Sequence, residues 1–190
     1  MGCFHSSHSD NNKSLSSQSQ SRSLQPRAPV LLFYLPSNVR AVLTRIVASS
    51  LINSETTAQA GRLNIRFVDV PNQRSSRKYW PSKFSSKGEY AAALYVADIR
   101  DRGSLLLNAR TLNWLLKFVH EKYNFIIIVI STNEVQLAEF KSIISRRDVE
   151  LVVLDEKNPE TVVNFVDVIS LSVERYYDKR YTSDTTIRGK

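Results

Sequence analysis

Apolar positions along this chain follow two periods. Val30–Leu35 (VLLFYL), Ala91–Ala97 and Phe125–Ile130 (FIIIVI) are short unbroken apolar runs, and Leu63–Val70 (LNIRFVDV) alternates before turning apolar. Runs of this length, two of them closed by Pro36 and Pro71, predict buried strands, with Val149–Leu154 as a fifth. Between them the spacing is helical. Val39, Val42, Leu43, Ile46 and Val47 follow the capping candidates Ser37 and Asn38. Leu112, Leu115, Leu116 and Val119 share one face of a predicted helix over 105–120. Asn133 caps a third helix reaching Ser145, and Glu160–Tyr176 forms the last. The polar stretch Asn53–Gly61 reads as a loop. Strands alternating with helices across short links predict an α/β fold: three layers, doubly wound around a mostly parallel sheet. Ligands in such folds sit beyond the C-terminal ends of the strands. Here those ends are Leu35–Arg40, Asp69–Gln73, Ile130–Glu134 and Leu154–Lys157.

Upstream of the first strand the pattern vanishes. Ser6–Arg27 is rich in Ser, Gln and Asn and nearly free of apolar residues, too little to repay the entropy of ordering. The expected organisation is a lipid-modified flexible tether at 1–28, a domain at 29–178 and a flexible tail at 179–190. Met1-Gly2-Cys3-Phe4-His5-Ser6 fits M-G-x-x-x-[ST], the N-myristoylation pattern, and Cys3, the sole cysteine, stands ready for S-palmitoylation. The pair matters because one myristoyl chain binds membranes with K of only about 10⁴ M⁻¹, whereas two signals anchor stably. Gly2 and Cys3 are thus the expected lipidation sites. They place the protein on the cytoplasmic face of a membrane, the plasma membrane first. Neither a secretory leader nor a membrane-spanning helix is expected, since the most apolar run falls far short of the roughly 20 residues a bilayer span needs.

Composition adds a net charge of +8 over 190 residues, which favours an acidic partner or surface. Arg74, Arg77, Lys78, Lys83 and Lys87 lie in a stretch with no acid between Asp69 and Glu89, and Arg175, Lys179 and Arg180 form a second basic cluster. No nucleic-acid-binding motif, zinc-ligand cluster or base-stacking platform accompanies them, so neither a nucleic-acid partner nor a metal is expected. No G-x-S-x-G elbow supports a hydrolase.

One stretch goes beyond fold class. Phe67-Val68-Asp69-Val70-Pro71-Asn72-Gln73-Arg74-Ser75-Ser76-Arg77-Lys78-Tyr79-Trp80 resembles the switch II segment of heterotrimeric G-protein α subunits, F-D-V-G-G-Q-R-S-E-R-K-K-W. ADP-ribosylation-factor-like GTPases share a shorter version. The element order from Val30 to Tyr176, the Phe165 and Val168-Ile169 positions of the last helix and the Gly2-Cys3 start are similar too. The resemblance implies a P-loop-GTPase-like G domain without the α-subunit helical domain. Only Ala48–Arg62 separate the first helix from the next strand, which leaves little room for a switch I strand.

The chemistry of that family is missing from the residues. A P-loop wraps phosphates with glycine N–H groups, a Lys and a Ser or Thr; in register stand Leu35, Arg40, Ala41 and Val42. Asn72 replaces the γ-phosphate-sensing glycine, behind Pro71, which has no N–H. Guanine-reading N-K-x-D becomes Ser131-Thr132-Asn133-Glu134, and T-C-A-T becomes Val153-Leu154-Asp155-Glu156. Asp69, Gln73 and Glu134 read as remnants. The expectation is a pseudo-GTPase with no cofactor and no catalytic residues, working as a membrane-anchored adaptor or scaffold. Its protein partner, a β-propeller or an effector-like protein, would dock on Arg74, Arg77, Lys78, Tyr79 and Trp80. The alternatives are an unconventional GTPase using Arg40 and Gln73, and a purely electrostatic binder of membranes or nucleic acid.

Overall fold

The structure, a computed structural model, describes residues 28–35, 39, 41–43, 57–60, 63–85, 90–120, 123–146, 148–155 and 157–187. Gly2, Cys3, the rest of the expected tether, Arg40 and Lys87 lie outside these. Six strands form one sheet: β1 (Ala28–Tyr34), β2 (Thr57–Ala60), β3 (Leu63–Asp69), β4 (Ala92–Asp98), β5 (Phe125–Ile130) and β6 (Glu150–Leu154). Their order is β2-β3-β1-β4-β5-β6. All neighbours run parallel except β2, which pairs antiparallel with β3 from Thr57↔Arg66 to Ala60↔Leu63. Three α-helices are α1 (Arg102–Leu116), α2 (Glu134–Ile143) and α3 (Pro159–Ile187). Val39 and residues 41–43 are helical as well.

Apolar residues cover both faces of the sheet, as the unbroken apolar runs require. In β1, Val30, Leu32 and Tyr34 face one layer, together with Val39, Val42 and Leu43 and with Phe165, Ile169 and Val173 of α3. Leu31, Phe33 and Leu35 face the other, with Leu105, Leu112 and Leu115 of α1, Phe140 of α2, and Trp80 and Phe84. The result is the three-layer, doubly wound α/β architecture the sequence implies.

Several boundaries differ from the sequence reading, among them the ends of α1, at Leu116 rather than His120, and of α2, at Ile143 rather than Ser145. The span expected to be loop holds β2, so a strand does fit between the first helix and β3. Its four residues, TAQA, carry no alternation, and pairing with β3 is what makes them a strand. Helix α1 begins at Arg102 rather than Leu105, because the Asp101 side chain caps it by accepting from Ser104 N at 2.8 Å. Helix α3 continues to Ile187, so the segment from 179 expected to be a flexible tail is mostly helical.

Candidate functional site

Parallel pairing brings the C-terminal ends of β1, β3, β4, β5 and β6 to one edge of the sheet, where a doubly wound fold places its ligand. Leu35, at the first phosphate-loop position, is 5% exposed and packs in the core layer with Phe33, Val70 and Trp80. Val42, at the Mg²⁺ hydroxyl position, is fully buried in the opposite layer. Ala41, at the lysine position, is exposed and carries no charge. These side chains do not fit a Mg²⁺–nucleotide: two are committed to the core, and the third has nothing to offer a phosphate.

The neighbouring loops are closed on themselves. Ser131 Oγ donates to Asn133 O at 3.0 Å and accepts from Asn133 N at 3.2 Å. Asn133 Oδ1 accepts from Val135 N at 2.8 Å, capping α2, which leaves Glu134 exposed in the first turn. Beyond β6, Asp155 Oδ1 accepts from Lys157 N at 2.9 Å, and Asp155 N donates to Thr161 Oγ1 at 3.0 Å. Ser131, Asn133 and Asp155, three of the polar groups aligned with the family's base-reading positions, serve a turn or a cap; Glu156 lies outside the described residues. Among the described residues, no group of three or more His, Cys, Asp or Glu could hold a metal ion.

The segment resembling switch II is ordered differently from its neighbours. Asp69 and Gln73 are exposed, and Ser76 N donates to Gln73 O at 2.9 Å. Two 3-10 turns follow, Arg77–Tyr79 and Pro81–Phe84. Trp80 between them is 0% exposed. Its ring meets Phe33 edge-on at 5.4 Å and Tyr95 at 6.4 Å, and its Nε1 donates to Pro71 O at 2.8 Å. Trp80 is therefore no surface anchor, contrary to the sequence expectation. Burying an indole with its one N–H satisfied is favourable, and here it pins the segment to the sheet from beneath. Phe84 stacks on Phe33 at 5.3 Å and reinforces the attachment.

The other expected contact residues stay at the surface. Arg74 and Lys78 are exposed, and Tyr79 is 60% exposed with the Lys78 ammonium 5.0 Å from its ring. Arg77 Nε donates to Asn72 O at 3.3 Å, which holds the guanidinium against the turn. Beside them, Arg77, Lys78, Arg110, Thr111 and Trp114 line a groove of about 370 Å³ between this segment and α1. The α1 wall was not legible as a site, because its residues read only as an amphipathic helix; Trp114 and Phe118 spaced among Arg110 and Lys117 were the available signal.

No protein-family model matches the sequence, and no curated protein matches it. Among solved structures, the chain is similar to the translation elongation factor SelB from Methanococcus maripaludis, determined in complex with the GTP analogue GppNHp. The two are 12% identical with a TM-score of 0.52, and the match covers 78% of this chain and 34% of that one. The chain thus spans about a third of that protein's length. At this identity the likeness concerns fold alone, an α/β fold of P-loop-like architecture.

Proposed function

We propose that this protein is a membrane-anchored adaptor built on a G domain that no longer uses nucleotide, a pseudo-GTPase similar to G-protein α subunits. The observation that carries the reading is the burial of Leu35 and Val42, at 5% and 0% exposure, where the family needs a glycine and a hydroxyl. Pro71, without an N–H, stands beside the position of the phosphate-sensing glycine. Gly2 and Cys3 supply the anchor through two acyl chains. The part of the segment left for docking is its exposed rim: Arg74, Arg77, Lys78 and Tyr79. Arg and Tyr are among the residue types that most often anchor interfaces, and an acidic protein surface complements this charge.

Nucleotide is the direct test. A ligand at a hundredfold excess over its Kd stabilises a fold by about 2.7 kcal/mol. The thermal midpoint is expected to stay fixed when GTP or GDP is added with Mg²⁺. An upward shift, or nucleotide co-purifying with the protein, refutes the reading and favours the unconventional GTPase. The docking rim is tested separately: Arg77→Glu with Lys78→Glu should abolish recovery of a protein partner in a pull-down with the acylated protein while leaving the fold intact.

A further inference from the structure

Residues 70–88 and 102–120 contain eight of the chain's 26 Lys and Arg and none of its 18 Asp and Glu. The remaining charges cancel, so the whole formal excess of +8 resides in these two segments. The fold sets their described parts, 70–85 and 102–120, on one face of the sheet, where they form the two walls of the groove lined by Arg77, Lys78, Arg110, Thr111 and Trp114.

The α1 wall has an unusual outer face. Leu107, Thr111 and Trp114 succeed one another at helical spacing along α1, and Phe118, two residues past its end, extends the same stripe through its ring contact with Trp114. Leu107 is 52% exposed and Phe118 46%. Trp114 is half-buried, its ring edge-on to Phe118 at 5.5 Å. Arg110 and Lys117 are exposed beside the stripe. A surface helix normally turns polar residues outward; this one turns out apolar and cationic residues, with no acid among them.

We propose that this outer face of α1 docks on an anionic phospholipid surface. Aromatic rings settle at the headgroup level of a bilayer, and Lys and Arg beside them reach the anionic headgroups. The ring pair favours a leaflet over an acidic protein: Trp114 and Phe118 settle at headgroup depth while the exposed Arg110 and Lys117 beside them meet anionic headgroups. The location of the face in the cell rests on the membrane anchor proposed above. Its lipid affinity does not, because Arg110, Trp114, Lys117 and Phe118 supply that without any acyl chain. One acyl chain plus a basic patch suffices for stable attachment, so the face holds the domain at the leaflet when Cys3 is free.

The protein contains its own reporter. It has two tryptophans, of which Trp80 is fully buried and insensitive to surface events, leaving Trp114 to respond. The full chain, expressed without acylation, is mixed with phosphatidylcholine vesicles with or without phosphatidylserine. Phosphatidylserine should shift the emission to the blue and bring the protein into the vesicle pellet, an effect that fades with added salt; phosphatidylcholine alone should do neither. Arg110→Gln with Lys117→Gln should weaken sedimentation about 25-fold, roughly fivefold per cation. Trp114→Phe should remove the emission shift while sedimentation persists. Far-UV circular dichroism of each variant guards against misfolding. Absence of both responses to phosphatidylserine overturns the proposal, as does sedimentation indifferent to Arg110→Gln with Lys117→Gln. A response to polyglutamate with none to the vesicles also overturns it and assigns the face to an acidic protein. Failure of the anchor alone appears elsewhere, as loss of membrane association in cells with unchanged vesicle binding by the unacylated chain.

Discussion

Trp80 shows how one residue can change sides between sequence and structure. It stands among Arg77, Lys78 and Lys83 in the chain, yet the fold buries it against Phe33 and Tyr95. Its partner Pro71 cannot donate a hydrogen bond but does accept one, through its carbonyl. Trp80→Ala should lower stability by about 3–5 kcal/mol in a denaturant melt, whereas Trp80→Phe should lose the indole hydrogen bond at a cost of about 1 kcal/mol. Tyr79→Ala, at an exposed position next door, should stay within about 0.5 kcal/mol of the parent. Equal losses for Trp80→Ala and Tyr79→Ala would contradict the burial. Val42 makes the complementary case. Val42→Ser restores a hydroxyl at the family's Mg²⁺ position, but inside an apolar layer it should cost about 1–3 kcal/mol and bring no stabilisation by GTP.

At the scale of elements, caps and hydrogen-bonded turns shape the ends of the strands and helices where a ligand site would be. Asp101 starts α1 by accepting from Ser104, and hydrogen bonds from the Ser104 hydroxyl and N–H hold its carboxyl below the ordinary 3.8. A carboxylate with a depressed folded pKa stabilises the protein above its unfolded value, and that contribution disappears as pH falls through the folded value. The loss should therefore appear below about pH 3.8. Asp101→Asn keeps a capping side chain but removes the titration, so the difference from the parent in melts against pH should flatten in that acid range. Asn133→Ala, at the cap of α2, should cost about 1 kcal/mol at any pH. Next to α1's cap, Asn108 Nδ2 donates to Asp98 O and Ser104 O, while its Oδ1 accepts from Tyr95 Oη. Burial pushes the Tyr95 hydroxyl well above the usual phenol range, which favours the neutral form that donates in this tie between β4 and α1.

The whole molecule combines a core filled on both sides of the sheet with a charge excess gathered on one side. Among the described residues no helix is long and apolar enough to cross a membrane; the attachment we propose rests on Gly2, Cys3 and the basic face. Gly2→Ala should move the protein from the membrane to the soluble fraction, because it removes the first acyl chain and the context for the second. Cys3→Ser should remain membrane-associated at low salt and be released by high salt, held by one chain and the basic face. A Gly2→Ala protein that fractionates with membranes as fully as the parent would remove the anchor from the proposed function.

The apolar runs by themselves determined the five parallel strands, because residues buried on both faces of a sheet leave an unbroken hydrophobic signature. The M-G-x-x-x-[ST] pattern and the residues aligned with the phosphate loop are read from identity at fixed spacing alone, and what they imply is left to the nucleotide and fractionation tests. The short strand β2 was not: TAQA has no pattern of its own, and only the edge of β3 gives it a partner. The last residues of α3 were missed for a similar reason, since a polar helical end is carried by a helix seated on β6, β3 and β2 further up. Only tertiary structure decided that Trp80 lies beneath its segment while Tyr79 lies above it, because neighbouring residues in a 3-10 turn point in different directions. Only tertiary structure, too, joined residues 70–85 to 102–120 on one face of the sheet, because charges far apart in the chain become a surface when the sheet brings their elements together.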